Sequence, residues 1–141
     1  MENELIRTTP DKEKAKAILK MVETTLAMIE NIDTDRFPSN ITKEYYESIR
    51  ELLSSVLLLD GYKTYGEGAH KKQIEYLEKN YKDFKGHEIS LIDELRLVRN
   101  KIAYDGFFVE KGYIKRKTKD IKTIVGKLRR IIKNKIDSKA I

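Results

Sequence analysis

Apolar residues recur at intervals of three and four in five stretches of the chain, a spacing typical of amphipathic helices. The residues predicted to face a core are Ala15, Ile18, Leu19, Val22, Leu26 and Ile29; Tyr45, Ile49, Leu52, Leu53 and Val56; Ile74, Leu77 and Tyr81; Leu91, Ile92, Leu95, Val98 and Ile102; and Ile121, Ile124, Val125, Leu128 and Ile132. The pattern predicts an all-α fold, an up-and-down bundle of about five helices. We expect residues 1–141 to form one domain, with flexible ends at 1–8 and 136–141.

Capping and helix-breaking residues give the predicted boundaries. The first helix is expected to open at Thr9-Pro10-Asp11, with Thr9 as its cap. Residues 33–40 are expected to form a loop, and the other helices are predicted over about 42–60, 66–81, 87–104 and 118–135. The apolar run 56–59 indicates the domain centre or a subunit interface.

The start and end of the fourth helix have their own signals. Ser90 and Asp93 form a candidate capping box, and Gly106 is the predicted stop. The apolar stretches 107–109 and 113–114 flank a glycine-containing turn at 110–112, a pattern that predicts a short hairpin before the last helix.

The composition restricts the chemistry of the protein. The chain has no cysteine and two histidines, which excludes thiol catalysis, disulfides and cysteine- or histidine-rich metal sites, and we expect neither metal nor cofactor. The acidic N-terminus lacks the profile of a signal peptide, and no apolar run approaches the roughly 20 residues that cross a bilayer. We therefore expect a soluble cytoplasmic protein without membrane contact.

The net charge of +6 is unevenly distributed. Residues 111–141 hold 12 Lys or Arg against two Asp, whereas residues 1–110 are slightly acidic. On the last helix, Lys122, Arg129 and Lys133 lie off the apolar stripe, as expected of a face that follows a nucleic-acid backbone. The same pattern is typical of a solvated lysine-rich helix, and no known nucleic-acid-binding motif accompanies it.

The end of the fourth helix holds the candidate site. Arg99 offers a fork of donors that suits phosphate oxygens, beside the polar Asn100. Arg96, Asn100 and Tyr104 share one helix face, and Lys101 is a further candidate contact to RNA. Because Arg99 lies about 140° around an ideal helix from Tyr104, we expect both to reach one substrate only if the last turn distorts or two subunits pack together. The structural alternative is that Arg99 pairs with a carboxylate, Asn100 caps backbone and Tyr104 covers a core edge.

Three stretches of the chain carry a resemblance to a known family. They are 44–53 (EYYESIRELL) leading to 59–63 (LDGYK), 69–77 (AHKKQIEYL) and 97–104 (LVRNKIAY). In this order, over about residues 40–108, they resemble the HEPN domain, the nucleotide-binding helical bundle of higher eukaryotes and prokaryotes.

The resemblance implies a function. Many HEPN proteins are metal-independent ribonucleases, often toxins whose antitoxin is a minimal nucleotidyltransferase, and their motif is an arginine, a polar residue and a histidine. On this chain Arg99 would stabilise developing charge, Asn100 would orient it, and Tyr104 would donate a hydrogen bond from the position of the histidine. Tyrosine, with a pKa of about 10, is a poor base near neutrality, so the resemblance supports binding more than cleavage.

We therefore expect a homodimer that binds RNA or a nucleotide and is a candidate endoribonuclease of a toxin–antitoxin pair. The alternative is a non-catalytic dimeric module that pairs with a nucleotidyltransferase-type partner. His70 is either a substitute base near the site or a packing residue at a helix start, and His87 is expected in an exposed turn. The aromatic residues Tyr45, Tyr46, Phe107 and Phe108 either stack on bases or belong to the core.

Overall fold

A computed structural model describes residues 4–138, and this part of the chain confirms the all-α prediction with five helices. The helices are α1 (Lys12–Ile29), α2 (Pro38–Asp60), α3 (Ala69–Asn80), α4 (Gly86–Asp105) and α5 (Lys111–Asp137). Two strands not predicted from the sequence, β1 (Glu4–Arg7) and β2 (Tyr62–Tyr65), pair antiparallel. Among the described residues, no helix is long and apolar enough to cross a membrane.

The central helix of the bundle is α2. It contacts the other four helices, and twelve of its side chains are buried. Val56, Leu57 and Leu59 are at most 3% exposed, which places the apolar run at the centre of the core. Most of the residues predicted to face the core do so; Ile18, Leu26 and Tyr81 pack against it while partly buried, and Val98 and Ile102 are also only partly buried.

The first two helices begin elsewhere than predicted. The carboxylate of Asp11, not the hydroxyl of Thr9, caps α1, because it accepts a hydrogen bond of 2.9 Å from the Lys14 amide. Helix α2 begins at Pro38 rather than near residue 42, so proline takes the first helical position and the loop is shorter.

The third and fourth helices also differ at their starts. Helix α3 begins at Ala69, after a loop that includes the predicted start at 66–67. In α4 the Glu88 carboxylate accepts a hydrogen bond of 2.8 Å from the Lys85 amide, so the helix begins at Gly86 and the predicted capping box lies inside it. Gly106 ends α4 in the left-handed conformation with φ 65°, as predicted.

The predicted hairpin before the last helix is wrong. The Glu110 carboxylate accepts a hydrogen bond of 2.8 Å from the Gly112 amide and caps α5, which therefore starts at Lys111 rather than near residue 118. Ile114, predicted in a strand, is a fully buried helical residue. The segment 106–110 has no regular structure, and its Val109 amide donates to the Ser39 hydroxyl at 2.7 Å.

The ends of the chain are more ordered than expected. Residues 4–7 of the expected flexible segment form β1, and the Thr8 amide then donates to the Gly61 carbonyl at 2.9 Å. Residues 136 and 137 belong to α5, and residues 139–141 lie outside the described residues. The small sheet therefore fastens the start of the chain beside the connection between α2 and α3.

Candidate functional site

An open cleft of about 540 Å³ lies between the start of α3 and the C-terminal half of α4. Its walls are formed by Gly66, Glu67, Gly68, Ala69, His70, Lys71, Arg96, Arg99, Asn100 and Tyr104. We call it the arginine cleft. The structure thus brings together Arg96 and all three residues of the predicted motif.

Arg99 is held in place by a carboxylate from α2. Its Nε atom lies 2.8 Å from one oxygen of Glu47, and the other oxygen of Glu47 lies 2.7 Å from Nε of Arg50. Burial would raise the pKa of Glu47, but the hydrogen bonds and charges of the two arginines outweigh it and lower the pKa. Glu47 is therefore ionised near neutrality and fixes the guanidinium of Arg99 at the cleft.

Arg96 is fixed in the same manner within α4. Its Nε atom lies 2.8 Å from Asp93, one helical turn earlier, and its side chain is 16% exposed. Arg99 also donates to Asn100 Oδ1 at 3.3 Å, so Asn100 contacts the neighbouring guanidinium.

Arg99 and Tyr104 meet within one chain, so the second subunit expected as one route to this contact is not needed. The guanidinium carbon lies 5.9 Å from the centre of the Tyr104 ring, although α4 stays helical through Asp105. The final turn is wider than an ideal α-helix, because the Gly106 and Phe107 amides both donate to the Lys101 carbonyl. Burial would lower the pKa of Arg99, but Tyr104 and Glu47 outweigh it and raise the pKa.

The opposite wall of the cleft is the loop that leads into α3. Gly66 and Gly68 have φ angles of 83° and 80°, a region that side chains strongly disfavour. Within the described residues, no side chain caps α3, so the first amides of this helix lack a side-chain acceptor. The positive end of the helix dipole therefore lies at the cleft together with Lys71.

His70 lies in the cleft as well, on the first turn of α3. Its half-buried ring packs against Tyr46, with 6.2 Å between the ring centres. Burial, and after it the charge of Arg50, lowers the pKa of His70 below its ordinary value of 6.5, and Glu47 opposes this only in part. The imidazole is therefore neutral at pH 7.

The other predicted RNA contacts lie away from the cleft. Lys101 is exposed, and its amine lies 5.7 Å from the centre of the Phe107 ring. On α5, Lys122 pairs with Glu30 at 3.2 Å, and Arg129 and Lys133 both pair with Glu23 of α1. These three cations of the basic C-terminal stripe thus join α5 to α1 and to the residue that follows α1.

The candidate stacking residues fall into two groups. Tyr45 and Tyr46 are 4% and 1% exposed and belong to the core, whereas Phe107 and Phe108 are 45% and 87% exposed. Tyr104 is 75% exposed at the mouth of the cleft and does not cover a core edge.

Sequence reasoning missed Glu47, Arg50 and Lys71 as members of the site. The signal that could have found the first two is their spacing of three residues, which allows a helical ion pair on α2. Among residues 4–138, no group of three or more His, Asp or Glu side chains is placed to hold a metal ion.

Comparison of the chain with protein-family models, curated proteins and solved structures gives no match in any of the three.

Proposed function

We propose that the arginine cleft binds a phosphate group of RNA or of a nucleotide. The observation that carries this proposal is that Arg96, Arg99 and His70 line one open cleft at the uncapped start of a helix. Guanidinium groups and free helix amides are the donors that proteins commonly use for phosphate oxygens.

The charge of the cleft favours an anion. Its walls hold the three basic side chains Lys71, Arg96 and Arg99 against one acidic side chain, Glu67. Glu47 and Asp93 bind the arginines through Nε, the edge of the guanidinium nearest its aliphatic stem. They orient both arginines, which together with His70 and Tyr104 form the surface that a ligand meets.

Tyr104 extends the proposal from phosphate to nucleic acid. Its ring is 75% exposed beside Arg99 and is available to stack on an unpaired base. The resemblance of residues 40–108 to the HEPN domain supports the same ligand class.

We expect Arg99→Ala to weaken the binding of a fluorescently labelled single-stranded RNA by about tenfold or more, because a charged hydrogen-bond donor to phosphate is lost. The dissociation constant is measured by fluorescence anisotropy at low salt with EDTA present. The matched control is Arg116→Ala, which removes an exposed arginine that pairs with Glu110 outside the cleft walls. Equal losses in the two variants, or no loss in either, would contradict the proposed site.

A further inference from the structure

A second open cleft, of about 370 Å³, lies between α1 and α5, and Tyr45 of α2 forms part of its wall. We call it the α1–α5 cleft. It shares no residue with the arginine cleft. Small-molecule sites in proteins commonly have volumes of roughly 300–1,000 Å³, so this cleft is large enough to hold a small ligand.

Two ion pairs mark the ends of the α1–α5 cleft. Glu23 of α1 pairs with Arg129 of α5, and Glu30, which follows α1, pairs with Lys122 at 3.2 Å. On each helix the two charged residues are about two turns apart, which is about 10 Å along the helix axis. An opening of this length holds one substituted ring.

Between the two ion pairs, large apolar residues stand opposite small ones. The pairs set an antiparallel register, in which Leu26 lies opposite Gly126 and Ala27 lies opposite Val125. Gly126 is inside a long helix, where glycine is unfavourable. Apart from the neighbouring residues and the backbone of the helix, a Cβ there would meet no described atom within 4 Å, so packing does not require this glycine. The gap that it leaves is part of the cleft.

Tyr45 adds a hydroxyl to the wall of the cleft. The residue is 4% exposed, and in the described part of the chain its hydroxyl makes no hydrogen bond. The hydroxyl is not among the unpartnered atoms that are sealed inside the described structure, so a ligand is able to reach it. Burial raises the pKa of Tyr45, which keeps the hydroxyl protonated near neutrality. Because buried hydroxyls usually have a hydrogen-bond partner, this group indicates a polar ligand atom.

The charges in the walls of the α1–α5 cleft are balanced. The walls hold two acidic and two basic side chains, and these are joined in the two ion pairs. A charged ligand would have to break one of the pairs or remain unpaired, whereas an uncharged ligand leaves both intact. The arginine cleft differs, because its excess of basic side chains favours an anion.

We propose that the α1–α5 cleft binds a small, uncharged aromatic molecule that carries one hydrogen-bonding group, such as a phenol. The ring packs against Leu26 and Val125, and its polar group hydrogen-bonds with the Tyr45 hydroxyl. A flat ring suits the cleft because the small residues Ala27 and Gly126 let it approach both helices closely. This site is independent of the proposed phosphate binding.

The probes for the test are p-cresol and toluene, which differ by one hydroxyl. Each is titrated into the full chain, and binding is followed in the ¹H–¹⁵N correlation spectrum. We expect p-cresol to shift amide signals at residues 23–30 and 122–129 with a Kd of about 1 mM or lower. Tyr45→Phe, which deletes only the hydroxyl, should weaken p-cresol binding about fivefold and leave toluene binding within about twofold.

Two glycines provide matched variants that test the gap. Gly126→Leu fills it, whereas Gly86→Leu adds the same side chain at the start of α4, outside the cleft walls, where a Cβ likewise meets open space. We expect Gly126→Leu to weaken p-cresol binding about tenfold or more and Gly86→Leu to bind p-cresol as the unchanged protein does. Both variants should keep their helical circular dichroism, because leucine is a good helix former.

Three outcomes would overturn the proposal. The first is the absence of localised shifts at about 10 mM p-cresol, which is tenfold above the expected Kd. The second is an equal loss of p-cresol binding in the two leucine variants, since the effect would then not arise in the cleft. The third is an unchanged affinity of Tyr45→Phe for p-cresol, which remains decisive even if Gly126→Leu does not fold.

Discussion

The buried carboxylate of Glu88 joins the start of α4 to α5. Glu88 is 2% exposed and accepts hydrogen bonds from the Lys85 amide at 2.8 Å and from Lys127 of α5 at 2.7 Å. Burial alone would raise the pKa of Glu88, but these two donors outweigh it and lower the pKa from its ordinary value of 4.5. The folded state therefore stabilises the ionised carboxylate.

We expect Glu88→Gln to lower the free energy of unfolding at pH 7 by about 1–3 kcal/mol, because a buried charged hydrogen bond is lost. A lowered pKa contributes stability that is present above 4.5 and is lost as the pH falls through the folded-state value. The variant should therefore lose less stability on acidification than the unchanged protein. Urea unfolding at pH 7 and in acid measures both effects.

The control for this prediction is Glu13→Gln. Glu13 is 84% exposed and pairs with Lys16 on the surface of α1. Its replacement should leave the free energy of unfolding unchanged within error. An equal acid loss in the Glu88 variant and the unchanged protein would contradict the role assigned to Glu88.

At the residue scale, the sequence predicted half of the arginine cleft. Arg96, Asn100 and Tyr104 lie four residues apart, so helix geometry alone placed them on one face. The same geometry allowed Arg99 to meet Tyr104 only through a distorted final turn or a second subunit, and the wide final turn at Gly106 provides the first route. The carboxylate that pairs with Arg99 is Glu47. Glu47 itself is separated from Arg99 by 52 residues, and such a contact has no local signal.

At the scale of elements, glycines have opposite roles in different helices. Gly61 ends α2 with φ 86°, and a Cβ there would lie 3.2 Å from the Thr8 carbonyl oxygen. Gly126 lies inside α5, where a Cβ would meet open space: apart from the neighbouring residues and the backbone of the helix itself, no described atom lies within 4 Å of it. The first glycine is required by the backbone, and the second weakens a helix.

We expect Gly61→Ala to lower the free energy of unfolding by about 1–2 kcal/mol, because alanine is strained at positive φ. Gly126→Ala should raise it by about 0.5–1 kcal/mol, because alanine favours the helix. Urea unfolding of both variants against the unchanged protein gives the two values. A change of the same sign in both would refute this assignment.

The sequence predicted the helices and missed the strands for one physical reason. In a helix of 18 to 27 residues, such as α1 or α5, the three- and four-residue spacing of apolar residues repeats several times. A four-residue strand such as β2 shows at most two alternations between more and less buried residues. The false hairpin was predicted from the aromatic residues at 107–108, which favour strands. In the structure the Glu110 carboxylate caps the next residues, so they start a helix instead. Helix starts were displaced because several residues near each start are able to cap.

At the scale of the whole molecule, the small sheet lies against α2 and α3 but adds no described residue to the buried core. In the part of the chain that the structure describes, none of the buried core residues precedes Ala15, whereas β1 pairs with β2 just before the loop that forms a wall of the arginine cleft. The bundle should therefore remain folded without β1, whereas the loop at 66–68 should become more mobile when β1 is removed.

We expect a chain that lacks residues 1–7 to keep its helical circular dichroism and to unfold at nearly the same temperature. Hydrogen exchange at residues 62–71 should become faster, because the partner strand of β2 is gone. The affinity of the shortened chain for RNA should fall severalfold. Unchanged exchange at 62–71 in the shortened chain would show that β1 does not support this wall.

The central position of α2 has a consequence for the order in which the protein can be completed. The residues of the arginine cleft all precede Asp105, yet α2 buries one of its faces against α5, which follows them in the chain. Until residues 111–137 have left the ribosome, that face has no covering, and the nascent chain exposes an aggregation-prone apolar surface. A fragment that ends at residue 105 would contain every residue of the arginine cleft but would lack α5 and would not fold stably. The arginine cleft therefore depends on a helix that contributes none of its residues.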